Sequence, residues 1–179
     1  MPMSSTEGKD WIVGRALRHL SGRPATILDV GVGCGTYLDL LGPILPLARW
    51  IGVEIWEPYV ARFDLAARYD ELIVADVRDL DPLPAADLII LGDVVEHMAH
   101  ADALKLWDRA RAAARRAVIL SLPIVEYPQG EVDGNPYEAH VHTWTDRDVV
   151  ADLPGIVASF RLPWAQTIGA YEAVPAGGV

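Results

Sequence analysis

Residues 27–41, ILDVGVGCGTYLDLL, constrain this chain more than any other stretch. A short apolar run ends in Asp29, glycines stand at 31, 33 and 35, and an apolar-periodic segment opens at Tyr37. Glycine has no Cβ, so a backbone built this way can turn sharply and approach a ligand closely. A helix that starts behind such a loop can receive an anion at its N-terminus. The dinucleotide fingerprint G-x-G-x-x-G is matched by Gly31 and Gly33, but Thr36 stands third and Gly35 comes one residue early. No Gly-Lys-Ser/Thr follows, which excludes a P-loop. Glu54 lies about 20 residues on, where an acid grips ribose hydroxyls, and it suits NAD and other nucleosides alike.

The rest of the chain alternates strand and helix signals. Val13, Ala16, Leu17 and Leu20 predict an amphipathic helix over about 7–21, followed by a buried strand at 25–30. Strands are expected at 48–55, 71–76, 87–93 and 117–123. The intervening helices include one starting near Pro58, with Val60, Phe63 and Ala67 inward. Another covers 102–116, with Leu104, Trp107 and Arg111 at helical spacing and arginines at its dipole-negative end. Residues 124–142 hold many chain breakers, and a long irregular loop in a compact domain is usually functional. Thr145 is expected to cap a short helix. Two strands then follow in GIVASFRLP and AQTIGAYEAVP, and a very short connection between them implies an antiparallel pair. Alternation implies an α/β fold with a parallel sheet covered by helices on both faces. Ligands in such sheets bind at the carboxyl ends of the strands, which brings 29–35, 54–56, 76–77 and 92–97 around one crevice.

A length of 179 residues fits one domain, and 51% hydrophobic residues supply its core. With 25 acidic against 15 basic residues, net −10, a non-specific nucleic-acid binder is disfavoured, as is an anionic membrane partner. The single cysteine, Cys34, rules out an internal disulfide and a cysteine zinc site, and reads as a small filler. The N-terminus shows no secretory signal, and no apolar run is long enough to span a bilayer, so a cytoplasmic protein is expected.

ILDVGVGCGTYLDLL, WIGVEI, LIVADV and LIILGDVVEHM, in that order, resemble the successive motifs of class I S-adenosylmethionine-dependent methyltransferases. The resemblance is to the broad group that includes the quinone-biosynthesis methyltransferases, and it covers about residues 25–174. It implies a Rossmann-like three-layer αβα sandwich with a seven-stranded, mostly parallel sheet and an antiparallel last strand. It implies one methyltransferase domain over 1–179, with an N-terminal helix within 1–24 and a substrate lid loop over 124–144. On this reading Gly31, Gly33 and Gly35 cradle the methionyl part and Asp29 attracts its cationic part or orders the loop. Glu54 accepts from the ribose hydroxyls, Ile55 packs on the adenine and Trp56 covers it or packs elsewhere. Asp76 and the Val77 N–H face the adenine edge, or Asp76 caps a helix. Gly92 and Asp93 lie beside the transferring methyl, unless Asp93 serves as an N-cap.

Methyl transfer from a sulfonium is an in-line displacement, in which the protein mainly positions the reactants. A base helps when the acceptor is a hydroxyl or a protonated amine, and histidine suits neutral pH. His97, in the EHM that resembles the family's Glu-His, and His140, in the His-x-x-x-aromatic-Thr pattern of HVHTWT, are the family-like candidates. His142 stands where many relatives carry arginine, and His100 reads as surface. An H-x-H metal pair of His140 and His142 is conceivable, since alternate residues of an extended segment share a side, with Glu138 near. Without further ligands in view, no metal is expected. Tyr127, Glu131 and Tyr137 are placed to shape the lid. The expected activity is transfer of a methyl group to O or N of a small-molecule acceptor, with a homodimer as a further expectation. A non-catalytic cofactor-binding subunit and a nicotinamide-dependent oxidoreductase are the competing readings.

Overall fold

The computed structural model describes residues 5–162 and 164–177; the expected segments that include residues 1–4, 163 and 178–179 lie partly outside them. Seven strands form one sheet: β1 (Ala25–Val30), β2 (Ala48–Glu54), β3 (Glu71–Val74), β4 (Ala86–Gly92), β5 (Ala114–Pro123), β6 (Ile156–Ser159) and β7 (Ile168–Ala173). Their order across the sheet is β3-β2-β1-β4-β5-β7-β6. Strand β7 runs antiparallel to both neighbours, and the other pairings are parallel. This is the mostly parallel, seven-stranded Rossmann-like sandwich. Its central strands carry buried apolar runs, such as Leu88–Leu91 and Ala117–Leu120, because both faces are covered. The order reverses between β1 and β4, and the crevice at that switch point holds the site.

One core layer lies under α1 (Lys9–Leu20) and α2 (Thr36–Leu41) and includes Ile12, Leu20, Tyr37 and Trp50. The other lies under α5 (His100–Ala113) and α6 (Asp146–Asp152) and includes Trp107, Trp144 and Leu106. The Thr145 cap closes a full capping box: its hydroxyl accepts from the Asp148 N–H, and the Asp148 carboxylate accepts from the Thr145 N–H.

Several local expectations are corrected. The arginines at 115 and 116 do not end a helix, because β5 starts at Ala114, and both reach Asp87 on the neighbouring strand. The inward face of α5 is Ala103, Leu106, Trp107 and Ala110, with Leu104 and Arg111 at its margin. Asp64, at a φ of 51°, breaks the third helix into α3 (Glu57–Arg62) and α4 (Leu65–Arg68). Tyr59 and Leu65 therefore face the core and Ala67 is exposed. The antiparallel pairing of β6 with β7 holds, but residues 160–167 connect them, so the link is not very short. Among the described residues no helix is long and apolar enough to cross a membrane.

Candidate active site

Two adjoining cavities open at the carboxyl ends of β1, β2 and β4. The first, of about 680 Å³, is mostly apolar, with Val30, Ile55, Val77, Val94 and Met98 in its wall and Glu54 among them. The second, of about 1070 Å³, runs from the glycine loop to Tyr127 and His140 of the 124–144 segment. Gly31, Gly33, Asp93, His97 and Glu138 line both, so they form the seam.

Glu54 ends β2 almost wholly buried. Its Oε2 accepts from the Gly33 N–H at 2.9 Å and its Oε1 from the Trp56 N–H at 2.7 Å. Burial raises its pKa while those backbone donors oppose the rise. The carboxylate is thus held fixed at the wall, with lone pairs left for a ligand's hydroxyls. At Gly31 the φ is +71°, and a Cβ there would meet Val94 Cγ2 at 2.4 Å, so only glycine keeps this turn.

The remaining candidates divide. Ile55, Asp76 and Val77 line the first cavity, Gly92 the second, and Asp93 both. The Asp76 carboxylate is already engaged: it caps the turn Val77–Asp79 through the Arg78 N–H and pairs with the Arg78 guanidinium at 2.6 Å. Asp93 is not an N-cap: it sits at a φ of 55°, and its Oδ1 accepts from the Ser121 hydroxyl at 3.2 Å. Gly35 lines neither cavity; it is the left-handed N-cap of α2, against Arg68. Trp56 also lines neither, and instead packs edge-on against Tyr137, which does line the first. Tyr127 lines the second cavity, whereas Glu131 lines neither.

Asp29 lies behind the loop rather than in the cavity wall, 1% exposed, and its Oδ2 accepts from the Tyr69 hydroxyl at 2.7 Å. Burial pushes its carboxyl up to about 7 from an ordinary 3.8, opposed by Tyr69 and Lys9. The folded chain therefore keeps a proton that the unfolded chain has released. Asp29's contribution to stability falls as pH rises from about 4 to about 7 and is level above. Asp29→Asn preserves an acceptor for Tyr69 and removes that slope. In urea unfolding, the variant should gain on the wild type by a few kcal/mol between about pH 4 and 7, at about 1.4 per pKa unit. A constant difference across that range would mean that Asp29 is ionised throughout.

Of the histidines, His97 and His140 come together, with ring centroids 4.9 Å apart. His142 does not join them: it packs on His100 at 4.8 Å and Trp144 at 5.0 Å and lines neither cavity. The Val141 and His142 N–H groups both donate to the Glu96 carbonyl, at 2.8 and 3.1 Å. The segment therefore turns, and the period-two rule that put His140 and His142 on one side fails. His97 Nδ1 donates to the Ala139 carbonyl at 3.2 Å and His140 Nδ1 to the Tyr127 carbonyl at 2.6 Å. Burial lowers both pKa values, and for His140 the neighbouring His97 adds to this, which favours the neutral ring. In the neutral ring, with Nδ1 donating to a carbonyl, the lone pair of each sits on Nε2.

Sequence reasoning missed Lys9, Tyr37, Glu96 and the full part played by Glu138. Lys9 is buried on α1, one turn before Ile12, and its Nζ donates to the Tyr37 hydroxyl at 2.6 Å and lies 3.7 Å from Asp93 Oδ2. Its place on the Ile12–Ala16–Leu20 stripe was the available signal. Glu138 accepts from the Tyr59 hydroxyl at 3.1 Å, which ties the 124–144 segment to α3. Burial raises the Glu138 pKa.

A family model described as a methyltransferase domain matches residues 28–121. No curated protein matches the chain by sequence. Among solved structures, the chain is similar to the 1,6-didemethyltoxoflavin-N1-methyltransferase of Burkholderia thailandensis, crystallised with 1,6-didemethyltoxoflavin and S-adenosylhomocysteine. Identity is 21%, 93% of this chain and 77% of that chain are covered, and the TM-score is 0.69. It is similar to magnesium protoporphyrin IX methyltransferase of Synechocystis PCC 6803 with bound SAM at 18% identity, 93% and 77% coverage and a TM-score of 0.67. An S-adenosylmethionine-dependent methyltransferase of Clostridium acetobutylicum ATCC 824 gives 11% identity, 98% and 94% coverage and a TM-score of 0.71. At these identities the likeness carries the fold. The family match spans more than half of the chain and contains the glycine loop, Glu54 and the DVVEH turn that build the cavities. The chain belongs to the methyltransferase-domain family, the class I S-adenosylmethionine-dependent enzymes that its motifs resemble.

Proposed function

We propose that the chain transfers a methyl group from S-adenosylmethionine to a small-molecule acceptor, at O or N. The observation that carries this is the fixed Glu54 carboxylate in an apolar wall, next to a glycine loop open to both cavities. That wall fits a nucleoside: apolar faces for a base and an oriented acid for vicinal hydroxyls. The similar enzymes crystallised with S-adenosylmethionine or S-adenosylhomocysteine support the choice of cofactor.

S-adenosylmethionine supplies a methyl group on a cationic sulfur, which a nucleophilic lone pair displaces in line. Glu54 would hold the ribose, Ile55 and Val77 would face the base, and Gly31 and Gly33 would let the backbone close on the methionyl part. The acceptor would occupy the second cavity, whose wall carries His97, His140, Glu96 and Tyr127. Glu138, on the seam and made more basic by burial, is the group we assign to receive the acceptor's proton. Calorimetric titration with S-adenosylhomocysteine tests the reading. A single site in the micromolar range is expected, and no heat at millimolar ligand would overturn it.

A further inference from the structure

We propose that Glu96, His97 and His140 form a divalent-metal site in the wall of the second cavity, and that the metal binds and activates a hydroxyl of the acceptor. One ligand atom from each of the three lies within 4.8 Å of the others. Glu96 is 2% exposed, and among the described residues neither of its carboxylate oxygens has a hydrogen-bond partner. A buried carboxylate left without partners is costly, and a cation supplies what is missing. The two histidines are already set as ligands. A carbonyl fixes the proton on each Nδ1, the second-shell arrangement that orients metal-binding imidazoles and leaves Nε2 for the ion.

The remaining wall favours a cation. Glu96, Asp93 and Glu138 line the second cavity, and no lysine or arginine does among the described residues. Lys9 is turned toward Asp93 and Tyr37. A sulfonium or amine would be served by the carboxylates alone, whereas two imidazoles with Nδ1 held by carbonyls, converging with a carboxylate, are the donor set of a transition metal. Two imidazoles and one carboxylate suit zinc, iron or cobalt and leave coordination positions open. At bonds of about 2.1 Å, ligand atoms sit roughly 3.4 Å apart, so small side-chain rotations would close the site.

The proposal rests on the methyl-transfer reading and narrows it to oxygen acceptors. A hydroxyl bound to the metal becomes more acidic. Its O–H bond breaks, with the proton passing to the Glu138 carboxylate. The oxygen lone pair forms the new C–O bond as the S–CH₃ bond breaks, and that electron pair stays on sulfur. The products are a methyl ether and S-adenosylhomocysteine.

The test titrates Co²⁺ into the tag-free, chelator-treated chain and follows visible ligand-field absorption, with Zn²⁺ competition. One equivalent at micromolar affinity is expected. His140→Ala and Glu96→Gln should each weaken it by at least about 100-fold, the upper end of what even an outer-shell change costs. His100→Ala should leave it unchanged. No saturable binding of Co²⁺, Zn²⁺ or Mn²⁺ at millimolar concentration would overturn the site, as would binding that survives both His140→Ala and Glu96→Gln. S-adenosylhomocysteine calorimetry on the same samples keeps the two readings apart. Retained nucleoside binding without metal binding overturns the metal site alone, and the variants' nucleoside binding certifies their fold.

Discussion

Glu54→Ala is expected to weaken S-adenosylhomocysteine binding by about 100-fold or more, near 2.8 kcal/mol at about 1.4 kcal/mol per tenfold. On the proposed reading the truncation removes a charged acceptor that faces the ribose hydroxyls, and hydrogen bonds to charged groups are worth about 1.5–3 kcal/mol each. It also strands the Gly33 and Trp56 N–H groups that the carboxylate now satisfies. Loss of the Gly33 anchor would loosen the loop facing both cavities. Glu54→Gln keeps the shape and one acceptor oxygen, and should fall between wild type and alanine. The check is the calorimetric Kd of the three proteins under one set of conditions. An alanine variant with wild-type affinity would remove Glu54 from the binding site altogether.

Gly92→Ala should cost at least about 3 kcal/mol of stability, at or beyond the top of the usual range for overpacking a core. An added Cβ would lie 1.9 Å from Tyr37 Cε2, 2.5 Å from Cζ and 2.7 Å from the hydroxyl oxygen. The Tyr37 ring has little room to retreat: it is 3% exposed, its hydroxyl is held by Lys9, and the lysine ammonium also lies over the ring. Displacing the ring would disturb Lys9 and, through it, Asp93 at the seam. Gly14→Ala is the contrast, since a Cβ there meets nothing within 4 Å on a helix, and it should stabilise by roughly 0.5–1 kcal/mol. Denaturant midpoints of the two variants should move in opposite directions. A Gly92→Ala midpoint equal to wild type would show that the Tyr37 ring yields freely. Gly92 was read from sequence as a ligand-facing glycine, and its packing against Tyr37 is a second reason for its identity.

The fold was legible because its signals are local. Buried parallel strands read as apolar runs, the glycine loop stands between a strand and a helix, and Thr145 with Asp148 spells its own cap. Errors arose at single residues rather than in whole elements. Arg115 and Arg116 lie in β5, where they pair with Asp87 on β4, and Asp64 adopted a left-handed conformation that broke a continuous helix pattern.

The same division runs through the site. The spacing of Gly31, Gly33, Glu54 and Asp93 was enough to bring them around one crevice, because strand ends in a parallel sheet converge wherever the order reverses. Which histidines meet was not encoded in their spacing. His140 and His142 share a short segment, yet the Glu96 carbonyl draws in two successive N–H groups there and turns them apart. His140 then faces His97, His142 faces His100, and Glu96 is left buried without a partner beside the first pair. Chain order alone determined the alternating strands and helices and the glycine loop at the strand ends, through periodicity and loop chemistry. The polar lining of the second cavity was decided by tertiary structure, because contacts between residues over 40 positions apart set which polar groups point inward.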